Sequence, residues 1–271
     1  DLQKMDFYTW SRSNSNSNNV RYSDFNQINK NNIESLEIAF VYNSENLSND
    51  TIQANPIVID RQVIFPVSGN TLVSIDGASG QLIWKSELES LTNIAKRGLV
   101  YWEDKVKGHN KIFVPTAEGL AALDKNSGKL LLNFGNSGVS GLGKSVVAPV
   151  IAKNIVAYAT VSKLKCIKII KWYSCSYIEP SIQGIDVVSG EILWETKIHK
   201  QVGQEFITCL KGYGIDYSQK GGNPWSGLAA DEKRGIVFVT TGDAHNTQKT
   251  PFSNKHSNSL IAIDINNGDI L

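Results

Sequence analysis

Four stretches of this chain repeat one pattern, and that repeat limits the possible folds more than any other feature. They read LVSIDGASGQLIW (72–84), LAALDKNSGKLLL (120–132), IQGIDVVSGEILW (182–194) and LIAIDINNGDIL (260–271). Each is a short alternating strand, then an Asp, a Gly four residues later, and a second strand: Asp76/Gly80, Asp124/Gly128, Asp186/Gly190 and Asp264/Gly268. An Asp carboxylate can accept the backbone N–H groups of a tight turn, and Gly tolerates the positive φ that closes it, so each copy predicts a β-hairpin. A further strand pair precedes each anchor: ANPIVIDRQVIFPVSGN, RGLVYWEDKVKGHNKIFVPTAEG, VAPVIAKNIVAYATVS and WSGLAADEKRGIVFVTTGD.

Four strands per unit, recurring along the chain, predict an all-β fold of propeller blades. We divide it as a lead-in segment, 1–50, and blades at 51–90, 91–135, 145–200 (with an insertion) and 221–271 (incomplete). Four residues after the turn Gly stand Trp84, Leu132 and Trp194, and the two tryptophans are expected to pack between blades; the fourth copy reaches Leu271 before that position. The pattern therefore reads as about four blades, either a small closed ring or, as we expect, part of a larger one. No βαβ alternation is visible, and only NQINKNNIESLEIAF invites a helical or irregular reading.

Composition removes several function classes. A formal charge of +1 gives no global pull toward nucleic acid. No run approaches the roughly 18 apolar residues of a membrane-spanning helix. Three cysteines, Cys166, Cys175 and Cys209, have no metal-binding spacing. Cys166 and Cys175 can pair if the protein is exported, while an odd count leaves one thiol over. The sequence starts at Asp1 with no initiator Met or apolar leader, which reads as a processed or trimmed chain.

The repeat is similar to the tryptophan-docking motif of the pyrroloquinoline quinone (PQQ) dehydrogenase propellers. Three further stretches carry that resemblance: NNVRYSDFNQINKNNIESLEIAF (18–40), KRGLVYW (96–102), and GGNPWSGLAADEKRGIVFVTTGDA (221–244). Together they resemble the N-terminal half of an eight-bladed member of the glucose/quinate/shikimate type. The resemblance implies a dehydrogenase that oxidises a sugar, polyol or other alcohol by hydride transfer to PQQ, with Ca²⁺ as Lewis acid. It places Trp225 as the floor under the flat cofactor, Asn223 as a polar cofactor contact, Arg97 at the quinone oxygens, and Asp243 as a calcium ligand. It also implies a periplasmic location and a quinone or cytochrome c as electron acceptor.

This chain departs from the methanol-oxidising members. Leu91 and Thr92 stand where those carry adjacent cysteines, Leu164 where they carry a calcium-binding glutamate, and Val146 where they carry a cofactor-contacting threonine. The family's catalytic aspartate belongs to a later blade, so residues 1–271 are expected to hold about half of a site. Plainer readings compete: a strand-end cap for Asp243, a buried blade residue for Trp225, a surface ion pair for Arg97. A non-enzymatic propeller resembling the outer-membrane assembly lipoproteins is the alternative to an enzyme, and a truncated copy without activity is a third reading. Such a scaffold would not need Arg97, Trp225 and Asp243 together.

Other signals are weaker. GVSGLGKS (138–145) fits the phosphate-loop expression, but VVAPVIA follows it, so a glycine-rich interblade loop is expected. KLKCIKIIKWYSCSY (163–177) reads as an inserted hairpin with a solvated lysine face; its functional reading is docking to an anionic membrane or an electron acceptor. Trp84 and Trp194 read as structural, and Trp102 leans the same way. His109, His199, His245 and His256 lack metal spacing, and SRSNSNSNN (11–19) reads as a polar loop ordered by whatever it packs on.

Overall fold

The computed structural model describes residues 10–44, 53–67, 70–94, 97–104, 108–161, 163–169, 172–198, 207–209, 222–243 and 256–271, with backbone alone for 163–169, 172–178 and 207–209. The first sheet runs β1 (Ile57–Ile59), β2 (Gln62–Pro66), β3 (Thr71–Asp76) and β4 (Leu82–Glu87), each strand antiparallel to the next. The second repeats the order with β5 (Val100–Glu103), β6 (Asn110–Pro115), β7 (Leu120–Asp124) and a short β8 (Val139–Ser140). The third begins with β9 (Val150–Ala152) and β10 (Ile155–Ala159). It then sends out the hairpin β11 (Lys163–Ile169) and β12 (Trp172–Ile178), and resumes with β13 (Ser181–Asp186) and β14 (Ile192–Lys197). A strand that sequence patterning did not reveal, β15 (Ile207–Cys209), pairs with β12. The fourth sheet holds β16 (Leu228–Asp231), β17 (Ile236–Thr240) and β18 (Leu260–Asp264).

Burial follows position in the blade. In β3, five of the six residues are buried, with the second sheet on one side of the blade and Phe40 and Tyr42 of the lead-in segment on the other; in the outer β4 only Trp84 and Ser86 are. The repeated turns behave as their residue types require. The Asp76 carboxylate accepts the N–H groups of Ala78 and Ser79 at 3.0 and 2.8 Å, and Asp186 and Asp264 are used in the same way. Gly80, Gly128, Gly190 and Gly268 all take φ between +68 and +79°, a region that favours glycine.

Apolar clusters fill the spaces between consecutive sheets, first with second, second with third, and third with fourth. Trp84 lies on Gly128 of the next blade and donates its indole N–H to the Lys125 carbonyl at 3.0 Å; Trp194 lies on Gly268 and donates to Ile265 at 2.8 Å. A methyl on either glycine would stand within 2.6 Å of the indole, so the close approach itself requires Gly. Leu132, at the same repeat position in the second blade, is 71 % exposed, and the fully buried Phe134 meets Gly190 there. A benzene ring has no N–H, and the ammonium of Lys111 supplies the missing donor. It bonds the Val187 and Val188 carbonyls at 2.9 and 2.8 Å and lies against the rings of Phe134 and Trp102. Burial pushes the Lys111 pKa down, the expected cost of removing an ammonium from water.

The polar stretch from Trp10 to Asn19 crosses the innermost strand of every blade. Trp10 exchanges backbone bonds with Val58 of β1, Ser11 accepts from Tyr101 of β5, and the Ser17 hydroxyl donates to Ile151 of β9 while its carbonyl accepts from Ala230 of β16. Arg12 within it is fully buried. Its guanidinium donates to the carbonyls of Pro149, Ala148 and Leu228 and to the Asn19 side chain. Burial lowers its pKa to about 9, which leaves it protonated at neutral pH. Ile33–Ser35 forms one 3₁₀ turn, and the GVSGLGKS stretch runs into β9 rather than a helix.

Candidate functional site

The loops that lead into β1, β5, β9 and β16 converge at one end of the blades. Gln53 and Asn55, Arg97, Val147 and Ala148, and Trp225 to Gly227 line a cavity of about 310 Å³ there, joined by Asn14 and Arg21 from the N-terminal stretch. Besides Val147 and Ala148, its walls are polar and cationic apart from one large aromatic surface, Trp225, which is 46 % exposed. Among the described residues Trp225 is therefore not buried within a blade.

Arg97 is held over that surface. Its Nε donates to Gln53 Oε1 at 2.9 Å, its Nη1 to the Trp225 carbonyl at 2.6 Å, and its guanidinium carbon lies 5.4 Å from the indole ring centre. The surface ion pair considered for Arg97 is absent among the described residues, since its partners here are an amide, a carbonyl and a ring. The loop is fixed by Gly98, at φ +138°, where a methyl would stand 2.5 Å from Ser13 Cβ. The Ser13 hydroxyl donates to the Asn55 carbonyl and accepts the Leu99 N–H, so one serine ties the approaches to β1 and β5.

Trp225 is set by the turn below it. The Asn223 carbonyl accepts N–H groups from both Trp225 and Gly242 at 2.9 Å, and Gly222 donates to the Asp243 carbonyl at 3.0 Å. A methyl on Gly242 would stand 3.0 Å from the indole, which explains a glycine at that strand end. The structure thus brings Arg97 and Trp225 into contact and holds Asn223 and Asp243 on the adjoining backbone, though neither of the latter lines the cavity. Asp243 is exposed. Among the described residues no group of three or more His, Cys, Asp or Glu side chains comes together; His199 and His245 lie outside them. Sequence reasoning missed Asn14, Gln53 and Asn55 as cavity residues, and included Arg21 only within the stretch 18–40 that carries the family resemblance.

A larger cleft, about 700 Å³, opens at the opposite ends of the same inner strands, lined by Asp60, Glu103, Asp104, Glu232 and Lys153 among others. Its carboxylates would repel an anion. The two arginines and the open indole of the smaller cavity suit a flat, negatively charged ligand.

A profile of the PQQ β-propeller domain of glucose/ethanol/alcohol dehydrogenases matches residues 10–271. The chain belongs to that family. It is 26 % identical to quinoprotein glucose dehydrogenase A of Acinetobacter calcoaceticus, across 93 % of this chain and 36 % of the relative. It is 25 % identical to the glycerol dehydrogenase large subunit of Gluconobacter oxydans (strain 621H), across 96 % and 38 %. The fold superimposes on the quinohemoprotein alcohol dehydrogenase of Comamonas testosteroni with a TM-score of 0.68 at 20 % identity, across 97 % of this chain and 40 % of that one. The chain thus spans well under half the length of these proteins.

Pyrroloquinoline quinone is planar and carries three carboxylates. The half-exposed indole of Trp225 with Arg21 and Arg97 around it fits such a group. Calcium takes six to eight oxygen ligands. Asp243 offers one exposed carboxylate, so the described residues do not make up a calcium site on their own.

Proposed function

We propose that this chain forms part of a PQQ-dependent dehydrogenase acting on a sugar, polyol or other alcohol, and that the cavity between Arg97 and Trp225 receives the quinone. The observation that carries this reading is the guanidinium of Arg97 held above a half-exposed indole in a cavity with a second arginine. When bound, the quinone supplies the hydride acceptor for alcohol oxidation. Trp225 would orient its plane by stacking. Arg97, tethered by Gln53, would move from the indole to the edge of the ring system and donate hydrogen bonds to oxygens on which negative charge grows. Arg21 would meet a carboxylate, and Asn14 and Asn55 would close the polar rim.

Asp243 enters the same proposal as one calcium ligand, with the remaining oxygens coming from outside the described residues, and Asn223 as a polar contact. A periplasmic location and electron transfer to a quinone or cytochrome c belong to it as well. The matched relatives are quinoprotein and glycerol dehydrogenases by name, which supports an alcohol-bearing substrate.

The test is a titration of the purified chain with PQQ, with and without Ca²⁺, followed by tryptophan fluorescence and quinone absorbance. Saturable quenching is expected, with Trp225→Ala weakening it about tenfold, as the loss of one stacked aromatic pair suggests. Equal binding by a folded Trp225→Ala variant would sink the assignment of the floor.

A further inference from the structure

All three cysteines of the chain lie on one small sheet, β11–β12–β15, built from the hairpin inserted in the third blade and a strand of the segment that follows β14. The antiparallel register places Cys166 of β11 directly opposite Cys175 of β12, and Cys175 opposite Ile207 of β15. Cys209 is opposite Tyr173, two positions along. Residues opposite one another share a face, as do residues two apart on one strand, so all three cysteines belong to the same face.

Spacing within a sheet then separates the three conceivable pairings. Directly opposed residues have Cα atoms about 4.5–5.5 Å apart. A disulfide needs roughly 4.4–6.8 Å, so Cys166 and Cys175 meet the requirement by register alone. Cys175 and Cys209 are diagonal neighbours, at about 7–8 Å, beyond that reach. Cys166 and Cys209 are two strands apart, about 9 Å or more.

We propose that Cys166 and Cys175 form a cross-strand disulfide that locks the register of the inserted hairpin, while Cys209 stays a free thiol. The hairpin needs such a lock. Lysines and apolar residues occur on both of its faces, as Lys163, Lys165, Ile167 and Ile169 on one and Leu164 and Lys168 on the other show, so patterning alone sets its register weakly. The oxidant is a low-molecular-weight disulfide. The two cysteine thiols form an S–S bond and give up two protons and two electrons. The S–S bond of glutathione disulfide breaks, and two glutathione thiols leave.

The purified chain would be equilibrated with glutathione disulfide, denatured, and its thiols counted with an aromatic disulfide reagent. The bridged peptide would be located by non-reducing peptide mapping. One free thiol per chain is expected, with the linked peptides carrying Cys166 and Cys175. A Cys209→Ser variant should then show none, and still yield the same linked pair. Three titrating thiols, or a linked pair that includes Cys209, would overturn the proposal.

Discussion

At Arg97 a single side chain has its charge satisfied by neutral groups: an amide oxygen, a backbone carbonyl and the face of an indole. A cation over an exposed ring gains on the order of 0.5–1 kcal/mol, little enough for a ligand to displace it. Gln53 supplies the fixed end. We expect Gln53→Leu to leave the fold intact and weaken PQQ binding about tenfold, the effect of losing one hydrogen bond to a charged group. Fluorescence titration reads that directly, and unchanged affinity would mean that Gln53 does not hold Arg97 for the ligand. Arg97 and Trp225 could be named from sequence because they stand in KRGLVYW and GGNPWSG, stretches that resemble loops of a known family. Gln53, Asn55 and Asn14 are ordinary polar residues. Only the convergence of separate loops makes them a wall, and the local pattern of none of them records that.

At the scale of the element, the hairpin turns were readable since their chemistry is local: Asp and Gly four residues apart define both the acceptor and the positive φ. These turns also predict a pH dependence. Hydrogen bonds from the Ser79, Arg234 and Asn266 backbone N–H groups hold the Asp76, Asp231 and Asp264 carboxyls below their ordinary range. A folded pKa below the unfolded one means that the unfolded chain binds more protons in between, so stability rises with pH there. The contribution is fully present above the unfolded value of about 3.9 and is lost as pH falls through the folded values. Replacing Asp76 by Asn keeps an acceptor but removes the titration. Its thermal midpoint should therefore fall less steeply than wild type below about pH 4. Parallel curves in a pH series of melts would refute that role for Asp76. The docking residue of the second blade was not readable, because Phe134 and Lys111 divide the work of one tryptophan. The ring and the N–H come from positions 23 residues apart, and no repeat register links them.

Across the whole molecule one rule of blade docking recurs: an aromatic ring covers the turn glycine of the next blade, and an N–H donor reaches the carbonyl of the residue after the turn aspartate. Trp84 satisfies both halves at Gly128 and Lys125, Trp194 at Gly268 and Ile265, and Phe134 with Lys111 at Gly190 and Val187. The first blade meets its own version of the rule from the lead-in segment. Phe40 covers Gly80, so that a methyl there would stand 2.5 Å from the ring. Phe40 therefore stands where the docking ring of a preceding blade would, and Leu36, Ile38 and Val41 beside it are exposed. A benzene ring at position 40 meets only the first half of the rule, and the equivalent carbonyl is that of Gly77. Phe40→Trp should add the N–H that the other blades have and stabilise the chain by about 1 kcal/mol, the net value of one hydrogen bond. Phe40→Ala should cost about 2 kcal/mol, less than a fully buried Phe because this ring is 37 % exposed. Chemical denaturation of the three proteins decides it. If both substitutions leave the midpoint where it was, Phe40 merely rests on the blade and the docking rule does not extend to the lead-in segment.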